Sequence, residues 1–377
     1  MAHAYTPGLR VAKKTIIRKK RILPLKGDVV KKVGDRVLRD EIVAKTDLPG
    51  EVHTVNIVNR LGIMPDEINN YMLKKVGDTI AKDEIIAESK SFIKWFKTKI
   101  ESPISGKIES ISPVTGQVLL REPPRPVEVH AYLNGTIAET IPREGVVIES
   151  VASFIQGIFG IGGEVWGPLE FVAKAPSEAL DASKLNASHK GKILVAGSFA
   201  SFEAINKAIS VGATGLIVGG IRDGDLRQIL GYDLGVAITG TEKVGITLVL
   251  TEGFGEIAMA DRTFNALKAR EGAIASISGA TQIRAGVIRP EIIIPYDDED
   301  AKSALCDEGG EAQSVKPGDS IRIIRQPYFG KIGVVHSLPP ELQAIESETK
   351  ARILEVIFPD SPKPVVIPRA NIELIQE

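Results

Sequence analysis

The sequence contains one cysteine and five histidines, and this scarcity excludes several classes of disulfide and metal protein. The single cysteine, Cys306, cannot form an intramolecular disulfide or a zinc site made of cysteines alone. The histidines lack the close spacing of a metal-binding motif; they are His3, His53, His130, His189 and His336. We therefore expect neither a metal nor another cofactor.

Long hydrophobic runs are also missing. No apolar stretch approaches the roughly 20 residues that a membrane-spanning helix needs, and the first residues lack the apolar core of a signal peptide. With the lone cysteine, these absences predict a cytoplasmic protein that has no transmembrane segment. The 377 residues include 43% hydrophobic residues, 36 glycines and 22 prolines, which indicates a folded, turn-rich protein of two or three domains.

Positive charge is concentrated near the start of the chain. Residues 1–100 carry 21 Lys and Arg against 12 Asp and Glu, although the whole chain has a net charge of −1. We expect residues 1–27 to form a basic arm that attracts a polyanion or an acidic protein surface, with a solvated arm without a partner as the alternative. The cations that we predict to contact nucleic acid are Lys13, Lys14, Arg18, Lys19, Lys20 and Arg21.

An internal repeat is the clearest feature of the sequence. Residues 31–44 read KKVGDRVLRDEIVA and residues 74–87 read KKVGDTIAKDEIIA, and each copy has Gly-Asp at a turn before a β-rich run. A second turn and strand follow each copy, as LPGEVHTVNIV at 48–58 and SPISGKIESI at 102–111. The pattern predicts β-modules over residues 28–176, built either as two half-barrels in tandem or as one interleaved barrel.

This repeat resembles the biotinyl/lipoyl-type β-barrel family, including its sandwich-barrel hybrid relatives in respiratory and polymerase subunits. In carrier members of that family, a lysine in a tight hairpin receives biotin or lipoate. The corresponding positions here are Lys45 in AKTD and Lys90 in ESKSF, where an expanded hairpin at 89–99 replaces the short turn. The resemblance therefore favours a structural barrel, and a degenerate acyl or biotinyl carrier within an enzyme complex is the alternative.

From residue 190 to residue 295 the pattern changes to that of an α/β domain. Buried strands at 192–197 and 215–221 flank an amphipathic helix at 201–212, which is typical of a βαβ unit with a parallel strand pair. This region resembles swivelling and protease-associated domains, whose folds imply no particular chemistry. The side chains that follow its strands predict a ligand pocket, or else helix caps and surface ion pairs; they are Ser198, Ser201, Glu252, Gln282 and Arg284.

An acidic linker at 296–314 precedes a carboxyl-terminal module at 315–377. Its Gly318-Asp319 turn, the strand after it and the aromatic-glycine turn at 327–330 resemble a KOW domain, which implies a small SH3-like β-barrel. Members of that family contact RNA, ribosomal protein or polymerase. The resemblance points to Arg322, Arg325, Tyr328, Phe329 and Lys331 as nucleic-acid contacts, unless Phe329 packs inside the barrel and Arg322 pairs with an acid.

The sequence as a whole predicts an α+β multidomain protein with N-terminal β-barrel repeats, a central α/β domain and a C-terminal SH3-like β-barrel. No nucleophile–histidine–acid set is present, so we predict no catalytic residues and no enzyme activity. The favoured function is a binding or scaffold protein that contacts RNA, DNA or a ribonucleoprotein or transcription assembly. A subunit that binds only protein is the alternative, and a homo-oligomer is left open.

Overall fold

The computed structural model describes residues 9–90, 97–232, 242, 244–281, 288–297, 315–323, 328, 331–339, 342–344, 350–359 and 361–374. The fold is mostly β, with several sheets and few, short helices. None of the helices within these ranges is long and apolar enough to cross a bilayer.

The elements are numbered along the chain. The first are β1 (Val11–Ile22), β2 (Asp28–Val29), β3 (Arg36–Val37), β4 (Ile42–Leu48), β5 (Val52–Asn56), α1 (Ile57–Leu61), β6 (Thr79–Ile80), β7 (Ile85–Glu88), β8 (Lys99–Glu101), β9 (Gly106–Ile111) and β10 (Gln117–Arg121). The next are β11 (Arg125–His130), β12 (Gly135–Ile141), β13 (Gly145–Gln156), β14 (Phe159–Ile161), β15 (Glu164–Phe171), β16 (Ile193–Val195), α2 (Phe202–Ser210), β17 (Gly215–Ile221), α3 (Asp223–Leu230), β18 (Thr247–Phe254), α4 (Asp261–Lys268), β19 (Ile274–Ser278) and β20 (Glu291–Pro295). The last are β21 (Ser320–Ile323), β22 (Ile332–Ser337), β23 (Leu342–Ala344), β24 (Lys350–Phe358), β25 (Ser361–Pro368) and β26 (Ile372–Leu374). Short 3-10 turns lie at Pro65–Asn70, Ala182–Lys184, Ala187–His189 and Arg369–Asn371.

The repeated Gly-Asp sequence forms the same turn in both copies. In the first copy Gly34 has φ +90°, a left-handed conformation that glycine adopts without strain. The Asp35 carboxylate accepts a hydrogen bond of 2.8 Å from the backbone N–H of Lys32, and the Gly34 N–H donates to the carbonyl of Ile137 at 2.8 Å. The corresponding bonds of the second copy are formed by Lys75, Gly77, Asp78 and Ile108. The repeat in sequence is therefore a repeat in backbone structure.

The second copy is inserted inside the first. Strand β4 pairs with β11, and Leu48 at the end of β4 lies opposite Arg125 at the start of β11. Residues 49–124 are therefore an insertion between these two paired strands. Residues 52–121 carry their own sheet, β5-β10-β9-β6, and the β7–β8 pair. We call residues 52–121 the nested module, and residues 11–48 with 125–151 the outer module. This nested arrangement differs from both arrangements that the sequence suggested, two half-barrels in tandem and one interleaved barrel.

Each module has a separate hydrophobic core. In the outer module, Val37, Val43, Ile137 and Ile148 are buried together. The corresponding core of the nested module contains Ile80, Ile86, Ile108 and Leu120. Because the two cores are formed by different segments, the nested module does not depend on the outer one for burial of its apolar side chains.

The predicted central strands and helices belong to a larger sheet than the sequence suggested. Its order is β14-β18-β17-β16-β15-β19-β20-β13-β12-β3, with β1 also paired to β13. Strands β15 to β18 are parallel neighbours, as expected for the βαβ unit, and β17 has the predicted bounds. Two findings differ from the predicted boundaries: β15 precedes residue 190, and residues 11–22 of the predicted basic arm form β1. The strand predicted at 236–240 lies outside the described residues.

Helices cover both faces of the parallel strands. Leu194, Leu216 and Leu248 point to the side that packs against α2 and α3, whose own buried residues join the same cluster. Val195 and Ile217 point to the opposite side and pack with α4. Burial on both faces explains why all seven residues of β17 are buried and why its sequence, GLIVGGI, lacks alternation.

The carboxyl-terminal strands form a six-stranded sheet, in the order β23-β24-β22-β21-β26 with β25 paired to β24. A third Gly-Asp turn begins it, because Gly318 has φ +95° and donates its N–H to Val335 at 2.8 Å. The Asp319 carboxylate again accepts from the residue three positions earlier, Lys316, at 2.7 Å. The acidic linker at 298–314 lies outside the described residues.

Removal of the nested module should leave the rest of the protein folded. A variant in which Asn-Gly joins Leu48 to Arg125 converts β4 and β11 into a two-residue hairpin, which suits their antiparallel register. We expect a cooperative thermal transition and a β-type circular dichroism spectrum. A deletion of equal length over residues 36–111 cuts both modules and should give insoluble protein. Misfolding of the first variant would show that the two modules share one core.

Candidate binding surfaces and a buried polar cluster

Of the six basic residues on β1 that are predicted to bind nucleic acid, three form ion pairs with acids of the same chain. Arg18 lies 2.7 Å from Glu149, and Lys19 pairs with Glu291. Arg21 donates two hydrogen bonds to the carboxylate of Glu164, at 2.6 and 2.7 Å. The positive charge of these residues is therefore largely balanced within the fold.

The other three cations of β1 have different surroundings. The ammonium group of Lys14 lies 5.3 Å from the ring centre of Tyr296. Lys13 and Lys20 are exposed, and neither forms an ion pair with another residue that the structure describes. Because β1 pairs with β13 over most of its length, its side chains alternate between the core and the surface. The outward positions of this strand are the basic surface that remains available to a partner.

Lys19 and Arg21 also lie beside a buried tyrosine that no sequence pattern singles out. Tyr132 is fully buried between β11 and β12, with the Lys19 ammonium 5.5 Å and the Arg21 guanidinium 5.2 Å from its ring centre. Its φ of +73° is unusual for a residue other than glycine. Hydrogen bonds hold this backbone: Tyr132 donates its N–H to Arg39, and its carbonyl accepts from the hydroxyl of Ser276.

Among the described residues, the Tyr132 hydroxyl has no hydrogen bond of good geometry, and its only interaction of this kind is a weak one with the carboxylate of Glu291. Burial raises the pKa of this phenol well above its usual range, and the carboxylates of Glu291 and Glu164 raise it further. The phenol is consequently neutral at physiological pH. Strained backbone, buried charge and a weakly bonded hydroxyl occur together in functional sites, but this cluster is closed by its own ion pairs. Its evident role is to join β15 and β20 to the outer module, through the ion pairs of Arg21 and Lys19.

The predicted pocket residues that the structure describes make contacts within the fold. The Ser201 hydroxyl accepts a hydrogen bond from Ala204 at 3.2 Å and caps α2, which is the structural alternative considered for it. The backbone of Ser198 bonds to Glu178 and Gly220. Gln282 and Arg284 lie outside the described residues. A shared pocket for these five residues stays a prediction.

Glu252, the remaining residue of that set, pairs with Arg322 of the carboxyl-terminal module. Both side chains are buried, and the Arg322 residue is only 2% exposed. The second carboxylate oxygen of Glu252 accepts the backbone N–H of Ala260 at 3.0 Å, at the start of α4. Two residues predicted for separate sites thus meet in one contact between the central sheet and the carboxyl-terminal module.

The Arg322 guanidinium is incompletely satisfied. Its Nε and one terminal nitrogen have no hydrogen-bond partner within the described part of the chain. A buried guanidinium with free donors depends strongly on its single carboxylate partner. In this arrangement Arg322 faces the central sheet, so its predicted contact with nucleic acid requires the two modules to separate.

The aromatic turn of the carboxyl-terminal module also packs inward. The ring of Tyr328 lies 5.4 Å from that of Phe358, and Tyr328 contacts the module's core. The Lys331 ammonium lies 5.5 Å from the same Phe358 ring. Arg325 and Phe329 lie outside the described residues. The structure therefore places Tyr328 and Lys331 around one internal aromatic side chain.

The two carrier-type lysines lie on or next to corresponding strand pairs of the two modules, β4–β11 and β7–β8. Lys45 lies in β4, opposite Glu128, on the strand pair that leads into the nested module. Lys90 follows β7, and its ammonium lies 5.3 Å from the ring centre of Tyr71. In the outer module, the place of a carrier hairpin is therefore taken by the whole nested module.

Breaking the buried ion pair should be costly. The Arg322→Met variant leaves the Glu252 carboxylate buried with one backbone donor, and we expect a loss of about 3–5 kcal/mol in the free energy of unfolding. Adding Glu252→Gln removes the unpaired charge but keeps an oxygen that accepts from Ala260, so most of the loss should be recovered. Urea denaturation followed by circular dichroism measures both. Strictly additive losses would show that the two groups do not interact.

The Tyr132→Phe variant tests the weakly bonded hydroxyl. Removing a buried hydroxyl that has no well-formed hydrogen bond should leave stability unchanged or raise it by about 1 kcal/mol, because at most a weak interaction with Glu291 is lost. Tyr132→Leu, which also removes ring contacts with Lys19 and Arg21, should be clearly destabilising. Thermal and urea unfolding compare the two variants with the parent. A large loss in Tyr132→Phe would mean that the hydroxyl has a bound partner.

No protein-family model matches the chain, and no curated protein matches it.

Proposed function

We propose that this chain is a non-enzymatic scaffold that binds a protein partner through the surfaces of its β-modules. The observation that carries the proposal is an apolar side chain exposed at the same position of the same turn in both modules. Val33 is 61% exposed and Val76 is 59% exposed, each between a lysine and the turn glycine. No barrel packing requires an apolar residue at an exposed turn position.

The surroundings of the two valines are equivalent as well. Lys31 pairs with Glu41 beside Val33, and Lys74 pairs with Glu84 beside Val76. These lysines lower the pKa of each glutamate, which also accepts a backbone hydrogen bond from its own turn. Each module therefore presents an apolar side chain flanked by lysines, in the sequence Lys-Lys-Val-Gly-Asp. Two copies of one weak contact on a single chain strengthen binding to a partner that reaches both.

Internal neutralisation of charge supports protein over nucleic acid as the partner. Arg18, Lys19 and Arg21 pair with acids, and Arg322 is buried against Glu252. Counterion release from nucleic acid requires free cations along its phosphates, and these residues are not free. The family resemblances of the three regions agree with a scaffold: sandwich-barrel hybrid modules, an α/β domain of swivelling type and a KOW-like module.

A nucleic-acid contact is the second candidate, and the observation that favours it is the outward position of Lys13 and Lys20 on β1. Fluorescence anisotropy with single-stranded RNA and duplex DNA distinguishes the candidates. Binding that weakens steeply with salt and is lost in Lys13→Gln/Lys20→Gln would support nucleic acid. The scaffold proposal expects weak binding that this double variant leaves unchanged.

The exposed valines provide the direct test. Val33→Asp/Val76→Asp should abolish capture of the partner from nuclease-treated extract of the native cells, because it places a charge in each apolar contact. Val114→Asp is the matched control: Val114 is 82% exposed in the nested module but lies outside the repeated turn. Quantitative mass spectrometry of the captured proteins compares the variants. The same proteins captured by all three forms would refute a role for the two turns.

A further inference from the structure

The segment that joins the outer and nested modules contains a cluster of three potential metal ligands. The chain crosses this neck twice, at residues 49–51 and 122–124, and β5 and β10 pair antiparallel just beyond it. The backbone N–H of Glu122 donates to the carbonyl of Glu51 at 3.0 Å, which places the two glutamates beside each other. One side-chain ligand atom from each of Glu51, His53 and Glu122 lies within 4.8 Å of the other two.

The distance between His53 and Glu122 matches that of two ligands on one metal. Nε2 of His53 lies 3.3 Å from Oε1 of Glu122. Ligands at about 2.0–2.1 Å from a tetrahedral metal are separated by about 3.3–3.4 Å. Nε2 is shielded from solvent, and its contact with Glu122 lacks the alignment of a good hydrogen bond. An imidazole nitrogen held beside a carboxylate oxygen at this separation, but poorly aligned with it, is the arrangement that a metal ion would complete.

Arg125 now provides the positive charge at this position. Its guanidinium lies 2.6 Å from Oε2 of Glu122 and 3.2 Å from Oε1 of Glu51. The guanidinium binds Oε2 of Glu122, whereas the other oxygen of this carboxylate, Oε1, faces His53. The Arg125 side chain is 59% exposed, so it can turn into solvent without unfolding the neck. A metal ion and Arg125 would therefore compete for the same two carboxylates.

We propose that Glu51, His53 and Glu122 bind a divalent transition metal of the zinc class. One imidazole and two carboxylates suit Zn²⁺ far better than Mg²⁺ or Ca²⁺, which take oxygen ligands only. Three protein ligands leave a fourth position for water or for a side chain of a partner. The metal would tie the strand that enters the nested module to the one that leaves it, and so fix the neck. This inference does not depend on the proposed function.

The test is zinc binding by the full-length protein, measured by competition with a chromophoric chelator. We expect one zinc ion per chain, no competition from Mg²⁺, and loss of binding in His53→Gln and in Glu122→Gln. Each loss should exceed the roughly 10- to 100-fold weakening caused by changing a residue outside the ligand set. His336→Gln is the matched control, because His336 is exposed on β22 in another module, and it should bind zinc as the parent does.

Arg125→Met gives an opposite and independent prediction. Removing the competing guanidinium should tighten zinc binding by about tenfold or more, since both carboxylates become free of it. Hydrogen exchange of residues 48–53 and 120–125 should slow when zinc is added to the parent. The slower exchange would show that the metal reduces local opening of the neck. The proposal is overturned if His53→Gln and Glu122→Gln bind zinc as the parent does, or if Arg125→Met binds it no better. Circular dichroism verifies that the variants are folded.

Discussion

Strand β13 is the element on which the rest of the structure depends. One of its edges pairs with β1 from residue 145 to residue 155, and its other edge pairs first with β12 and then with β20. The first half of β13 therefore belongs to the outer module and the second half to the central sheet. The modules meet within one continuous strand, so their relative position is set by backbone hydrogen bonds and not by a flexible linker.

This constraint explains why the basic amino-terminal segment differs from the predicted arm. A free arm with several unpaired cations remains in water, but a strand beside β13 brings the same cations next to acids from distant parts of the chain. Arg18 meets Glu149 on β13 itself, whereas Lys19 and Arg21 reach Glu291 and Glu164 on β20 and β15. Part of the charge asymmetry seen along the sequence is thus balanced in space, and sequence charge alone overstates the affinity for a polyanion.

Local patterns in the sequence were sufficient to find most elements but not their partners. The Gly-Asp turns, the helix near 201–212 and the buried strand at 215–221 follow from turn chemistry and hydrophobic periodicity, which depend on neighbouring residues only. The nesting depends on contacts between distant residues. The first halves of the two copies, at 31–44 and 74–87, are 43 residues apart and closely similar. The second halves lie around Ile137 in the outer module and Ile108 in the nested module. They are 29 residues apart, they follow the opposite order along the chain, and their sequences have diverged.

The candidate functional residues show the same contrast between local patterns and contacts of distant segments. Lys13 and Lys20 are both exposed, although they lie seven residues apart and a regular strand would place them on opposite faces; the register of β1 shifts between Ala12 and Thr15, and the sequence predicted an arm here and not a strand. The cluster around Tyr132, the pairing of Glu252 with Arg322, and the grouping of the neck residues could not be predicted from sequence, because each depends on segments brought together only by the nested and continuous sheets. Burial also reverses the meaning of a charged residue: Arg322 in isolation suggests a phosphate contact, but at 2% exposure it holds two modules together. The sites of this protein that need a partner are therefore best sought among the side chains that the fold leaves exposed without a structural reason, such as the repeated valines.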